Sequence, residues 1–227
     1  MASRSKRNSI LESLPAGEFG KISRELEPVA LARDVAVLRP GHRAEYLYFP
    51  TTAVISFVGK AGEGGSIEVW SVGHEGAAGV SGILGQNAPF PGIVQVPGSA
   101  FRGKTSVLRR HYETSGAFRH AITAYLHYLM THISYLGICN NIHPLVQRFS
   151  RWLLVMEQRV GHSSLHFTQD AIASLLGTRR ATISVAASQL QAAGAIHYTP
   201  GAISIISRKK LKTIACGCYK PISLKLR

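Results

Sequence analysis

Acidic residues are the scarcest charged group in this chain: 12 Asp and Glu stand against 26 Lys and Arg, for a formal net charge of +14. Most acid–base and metal-assisted catalysis relies on carboxylates, so this shortage argues against an enzyme. Ten histidines are present, but His74, His111, His120, His127 and His132 show neither His-x-His nor His-Glu-x-x-His spacing. A cupin-like metal enzyme is therefore the weaker reading, and no catalytic residue, metal ligand or cofactor is expected. Cysteine occurs only at Cys139, Cys216 and Cys218, too few for a disulfide scaffold of this length; such usage fits a reducing compartment, the cytoplasm. No apolar run approaches the roughly 18–20 residues that span a bilayer. No apolar stretch follows the basic Met1–Arg7 segment either, so neither a membrane partner nor a secretory leader is expected. Gly73, Gly76, Gly79, Gly82 and Gly85 recur every third residue, but the run is too short and proline-poor for a triple helix. It also lacks a nucleotide-binding fingerprint. Turns within a β-roll account for it.

What is present is apolar material for real cores, 45% of 227 residues, and an uneven charge. Residues 1–141 hold 14 Lys/Arg and 10 Asp/Glu; residues 142–227 hold 12 Lys/Arg and two acids, Glu157 and Asp170. A basic C-terminal part favours a polyanion, because neutralised phosphates release counterions. Ser9 to Leu26 reads as one or two short helices broken at Leu14-Pro15. Short β-branched or aromatic runs follow at residues 35–38, 46–49, 53–58, 66–70, 93–96 and 100–102, separated by Gly and Pro, the pattern of an antiparallel roll, barrel or sandwich. A long helix is expected from about Ser115. Phe118, Ile122, Tyr125, Leu129, His132, Leu136 and Cys139 are spaced by alternating steps of four and three, a heptad seam suited to pairing with a twin in a homodimer. The alternative is an amphipathic helix packed on its own core. Asn140 to His143 interrupts the pattern, and Pro144 can open a new helix.

Residues 168–190 carry the functional signal. Thr168 is a good N-cap, Asp170 suits the positive helix end, and Ile172, Leu175 and Leu176 form an apolar face. Gly177 permits a tight turn. Thr178 is expected to cap a second helix with Ile183, Ala187 and Leu190 inward and Gly194 at its end. Two short helices joined this way are a helix-turn-helix. The second helix would present Arg179 and Arg180 at its N-terminus, where an arginine fork can meet the O6 and N7 of guanine. Thr168, Gln169, Thr178, Thr182, Ser184 and Ser188 complete the candidate DNA contacts as phosphate or mixed partners. Residues 195–206 form two strands around Pro200-Gly201, a type II turn, and hence a wing. Lys209 and Lys210 follow on a last short helix as candidate phosphate contacts.

On the Val146–Leu154 block, Thr168 to Thr182, Tyr46–Pro50 and Val72–Gly76, the sequence resembles the Crp/Fnr family of regulators over nearly its whole length. The resemblance implies an α+β chain. An N-terminal antiparallel β-roll sensor (cyclic-nucleotide-binding-like, jelly-roll type) would span 1–114, a dimerisation helix 115–141, and a winged helix-turn-helix 142–227. It implies a homodimer on a near-palindromic double-stranded DNA operator, with RNA polymerase as a further partner. Departures are plain. The glutamate and the arginine that hold cyclic AMP are absent around Gly79–Gly82 and Phe90–Gly92, and a buried phosphate without its arginine is costly. Three cysteines do not supply the four of an iron–sulfur member. Ala181 and Val185 replace two common recognition residues. A non-specific nucleic-acid-binding or scaffold protein stays open at this point.

Overall fold

The computed structural model describes residues 8–61 and 65–219. The basic Met1–Arg7 stretch, and Gly62 and Gly64 of the expected turn, lie outside them. The described residues form two compact units, one of residues 8–58 and 70–131, the other of residues within 59–69 and 132–219.

The first unit begins with α1 (Ser9–Glu12) and α2 (Ala16–Ser23), broken at Pro15 as expected. Asn8 is buried: its Oδ1 accepts the Ile10 N–H (3.1 Å), and its Nδ2 donates to the carbonyls of Pro50 (3.0 Å) and Gly76 (2.7 Å). The strands are β1 (Glu27–Leu31), β2 (Ala36–Leu38), β3 (Tyr46–Pro50), β4 (Val54–Ala61), β5 (Gly65–Val72), β6 (Gly92–Val96) and β7 (Gly98–Lys104). They form an antiparallel sheet in the order β1-β7-β3 and a second in the order β2-β6-β4-β5. Leu47, Phe49, Ile55, Val94 and Ala100 are buried from these sheets, and Trp70 stacks on Phe57 at 4.3 Å between ring centroids. The expected roll is thus present. β1 went unread because Pro28 sits in it; proline is tolerated there because β1 is an edge strand. Two helices also lacked a readable period: α3 (Val80–Ile83), a single turn, and α4 (Thr105–Thr114), where only Thr105 and Leu108 are buried.

Helix α5 (Gly116–Ile142) starts where the sequence places it. Its first half corrects the heptad expectation. Phe118, Ile122 and Tyr125 are at most 1% exposed in the single chain, so their own unit encloses them and they cannot also face a twin. Leu129, His132 and Leu136 are half-buried. The expected interruption at 140–143 marks only the helix end; the units divide earlier, between residues 131 and 132, and the β4–β5 tip groups with the second unit.

The second unit contains α6 (Leu145–Val160), which follows Pro144 as expected and ends at Gly161. Next come β8 (Ser164–Leu165), α7 (Gln169–Leu176), α8 (Arg180–Ala192), β9 (Ile196–Thr199), β10 (Ala202–Ile205) and α9 (Arg208–Ile214). The strands pair antiparallel in the order β8-β10-β9, with the Pro200-Gly201 turn at φ +83° for the glycine. Helices α8 and α9 both pack on α6, and α7 packs on α8. Phe149, Trp152, Leu153, Phe167, Ile172, Ile183, Leu190 and Leu211 close the core. Among the described residues, no helix is long and apolar enough to cross a membrane.

Candidate nucleic-acid interface

The two helices of the expected motif are α7 and α8. Thr168 caps α7, its hydroxyl accepting the Ala171 N–H at 3.1 Å. Gly177 closes it in the left-handed region (φ +62°), a conformation that costs a side-chain-bearing residue but not glycine. The Thr178 N–H is spent on this closure, bonding to the Ala173 carbonyl at 2.9 Å. Thr178 is not the cap of the second helix. Arg179 takes that place, with no side-chain hydrogen bond to the first turn of α8. The helix start thus keeps amide N–H groups without a side-chain cap, beside two guanidinium groups, an arrangement that attracts anions.

The inner face of α8 is sealed by Ile183, Ala186, Ala187 and Leu190, all buried. Its outer face shows Arg179, Arg180, Ala181, Thr182, Val185 and Ser188 exposed, with Ser184 half-buried. The Ser188 hydroxyl donates to the Ser184 carbonyl (3.0 Å), so it is engaged by its own helix. Arg180 Nε lies 3.7 Å from Asp170 Oδ2, both side chains being about two-thirds exposed. Such a long, solvated pair holds little energy; it places the first turn of α7, with Thr168 and half-buried Gln169, beside the arginines.

The lysines stand apart from this cluster. Lys209 and Lys210 are exposed on α9, and the Lys210 ammonium lies over Gly194, just past the C-terminal end of α8. A 13-residue helix is roughly 20 Å long, so Lys210 and Arg180 sit at opposite ends of it. Arg208 is tethered within the unit, to Glu157 Oε2 (3.4 Å) and to the Tyr219 hydroxyl (3.0 Å).

Residues 147–214 match the Crp-like helix-turn-helix domain. No curated protein matches the chain by sequence. Solved structures with the same fold include FixK2 from Bradyrhizobium japonicum, at 17% identity and a TM-score of 0.73, covering 85% of this chain and 98% of that one. TTHB099 of Thermus thermophilus, a CRP-family transcriptional regulator, is 14% identical with a TM-score of 0.71, covering 86% and 100%. The c-di-GMP-responsive global regulator CLP of Xanthomonas campestris is 16% identical with a TM-score of 0.67, covering 85% and 100%. Residues 147–214 are thus a Crp-like helix-turn-helix domain, and the chain shares the fold of solved Crp/Fnr-type regulators.

The turn after β5 is tightly filled. The Tyr125 ring lies against Gly76 so closely that a Cβ there would require the ring to move. Glu75 is buried, both of its carboxylate oxygens accepting the Gly73 N–H at 3.2 Å. In the second unit, the β4–β5 tip touches the helix-turn-helix: Ser174 Oγ donates to the Ser66 carbonyl (3.1 Å), and the Ile67 side chain rests on Gly177.

Sequence reasoning passed over one constellation. Cys139, His143, Cys216 and Cys218 come together in the second unit, their donor atoms all within 4.8 Å of one another. Cys139 Sγ is 3.4 Å from Cys216 Sγ, and Cys218 Sγ is 3.7 Å from His143 Nδ1. Burial pushes the Cys139 thiol up to about 12, although the nearby Arg151 guanidinium pulls the other way. Burial, with Cys216 beside it, also raises Cys218. The readable signals were the four-residue step from Cys139 to His143 at a helix end and the Cys216-Gly217-Cys218 pair.

Proposed function

We propose that this regulator binds a near-palindromic operator in double-stranded DNA as a homodimer, with α8 reading bases in the major groove and RNA polymerase as its further partner. In this reading residues 1–114 are a β-roll sensor, 115–141 the dimerisation helix and 142–227 the DNA-binding domain. The observation that carries it is the start of α8: two exposed arginines at a helix N-terminus without a side-chain cap, on a helix whose opposite face is fixed in the core. Dimerisation falls to the second half of α5, where Met130 and Ile142 are 70% exposed and Ile138 48%; large apolar side chains so exposed favour a partner surface. Cyclic AMP does not bind this sensor in this reading, because the sequence lacks the glutamate and arginine that would hold it.

The test is a titration of the full chain against an inverted-repeat promoter fragment and a scrambled duplex at several salt concentrations, with mass measured by light scattering. Two protomers per fragment and a preference for the inverted repeat, with half-sites about 10 base pairs apart centre to centre, are expected. Ile138→Lys should yield monomer and lose the preference. Equal affinity for both duplexes would leave a non-specific binder instead.

A further inference from the structure

We infer that Cys139, His143, Cys216 and Cys218 form a binding site for one zinc ion. The chain has only three cysteines, and all three converge on one point with a single histidine, although 77 residues separate Cys139 from Cys216. Ordinary buried thiols have no reason to gather so. Cys139 lies in the last turn of α5 and His143 just beyond its end, while Cys216 and Cys218 lie in the segment after α9. One pair thus comes from a helix end and the other from a Cys-x-Cys segment, a common way for two chain elements to share a metal ion.

The geometry fits a single tetrahedral ion. With Zn–S of about 2.3 Å and Zn–N of about 2.0 Å, tetrahedral donors stand roughly 3.8 Å apart for two sulfurs and roughly 3.5 Å apart for sulfur and nitrogen. The observed separations of 3.4 Å and 3.7 Å, with every donor within 4.8 Å of the others, need only small adjustments. An iron–sulfur cluster distributes its ligands over several irons and spreads them wider than one ion does. Three sulfurs and an imidazole are soft and borderline donors, the Cys₃His set of structural zinc. Cys139 and Cys216 are buried while His143 and Cys218 are half-buried, so the site has a closed floor and an open side for entry.

Charge balance points the same way. Binding releases one proton from each of three thiols to solvent, with no oxidation or reduction. Three thiolates, a neutral imidazole and a divalent ion leave one net negative charge. Arg151 is buried beside Cys139, and its Nε has no hydrogen-bond partner among the described residues. Its guanidinium supplies the compensating charge, a partner beyond the ligands themselves. An occupied site ties the end of α5 to the segment after α9.

The experiment uses the full chain without a histidine tag, purified under reducing conditions without chelator. Elemental analysis should find one zinc per chain. Cobalt(II) in its place should give the intense sulfur-to-metal charge-transfer absorption of a tetrahedral thiolate site. In competition with a chromophoric chelator, Cys218→Ser and His143→Ala should each weaken zinc binding by roughly tenfold or more. The inference fails if the reduced wild-type chain neither holds zinc nor takes it up stoichiometrically. It fails equally if anaerobic preparations show an iron–sulfur spectrum, if Cys139 and Cys216 are found as a disulfide in freshly lysed cells, or if both variants keep wild-type affinity. The wild-type measurements decide the matter even if a variant does not fold.

Discussion

Two helices of the second unit begin with basic residues, and they use them differently. α9 opens with Arg208, Lys209 and Lys210, but Ser207 caps it, its hydroxyl accepting the Lys210 N–H at 3.3 Å, and Arg208 is held by Glu157 and Tyr219. α8 opens after Arg179 with no side-chain cap, and Arg180 keeps only a long, solvated contact to Asp170. Positive charge alone therefore does not define the interface. A helix start with uncapped amides and an untethered guanidinium fork can accept a base edge or a phosphate, whereas a capped and tethered start mainly holds its own fold together.

The largest effect is expected from a change beneath α8. Ile183 is fully buried on its inner face, so Ile183→Ala should cost about 2–5 kcal/mol of stability. Urea unfolding would show this, and DNA binding should fall with it as the arginines lose their fixed platform. A change below about 1 kcal/mol, on the scale of a surface substitution, would mean that α8 is not anchored as described. Arg180→Ala comes next: the loss should be about 1–3 kcal/mol at the specific site, with relaxed preference at one base pair per half-site. Equal losses on operator and scrambled duplex would turn Arg180 into a phosphate clamp and erase the contrast with α9.

The α9 side gives smaller effects. Ser207→Ala should cost about 1 kcal/mol of folding stability by removing the cap, seen as a lower denaturation midpoint with sequence preference intact. Lys209→Ala and Lys210→Ala should weaken binding to all DNA alike and lower the salt slope by about one unit each if they touch phosphate. A selective loss at one base pair would place α9 in base recognition and give it the role assigned to α8.

Much of this arrangement is legible in the sequence because it is local. Pro15, Pro144 and Gly177 mark helix boundaries through their own dihedral limits, and the three-to-four-residue spacing of Ile183, Ala187 and Leu190 marks the buried face of α8. The error at Thr178 is a matter of one residue. A good capping side chain was available at Thr178, but α8 starts one residue later and Arg179 holds the N-cap position. The heptad seam misled for a different reason. Apolar residues at steps of three and four look the same whether they meet a second helix or a sheet, and Phe118, Ile122 and Tyr125 are enclosed by their own unit.

The order of elements, the basic excess of the last third and the helix-turn-helix with its arginine pair are legible in the sequence, since each depends on neighbours within one or two helical turns. Only the tertiary structure decided which half of α5 stays exposed and which arginine is tethered. It also decided that Cys139 and His143 meet Cys216 and Cys218. Periodicity reports which face of an element is buried but not against what, and no local rule links a helix end to a segment more than seventy residues away; that meeting exists only once α9 has packed on α6.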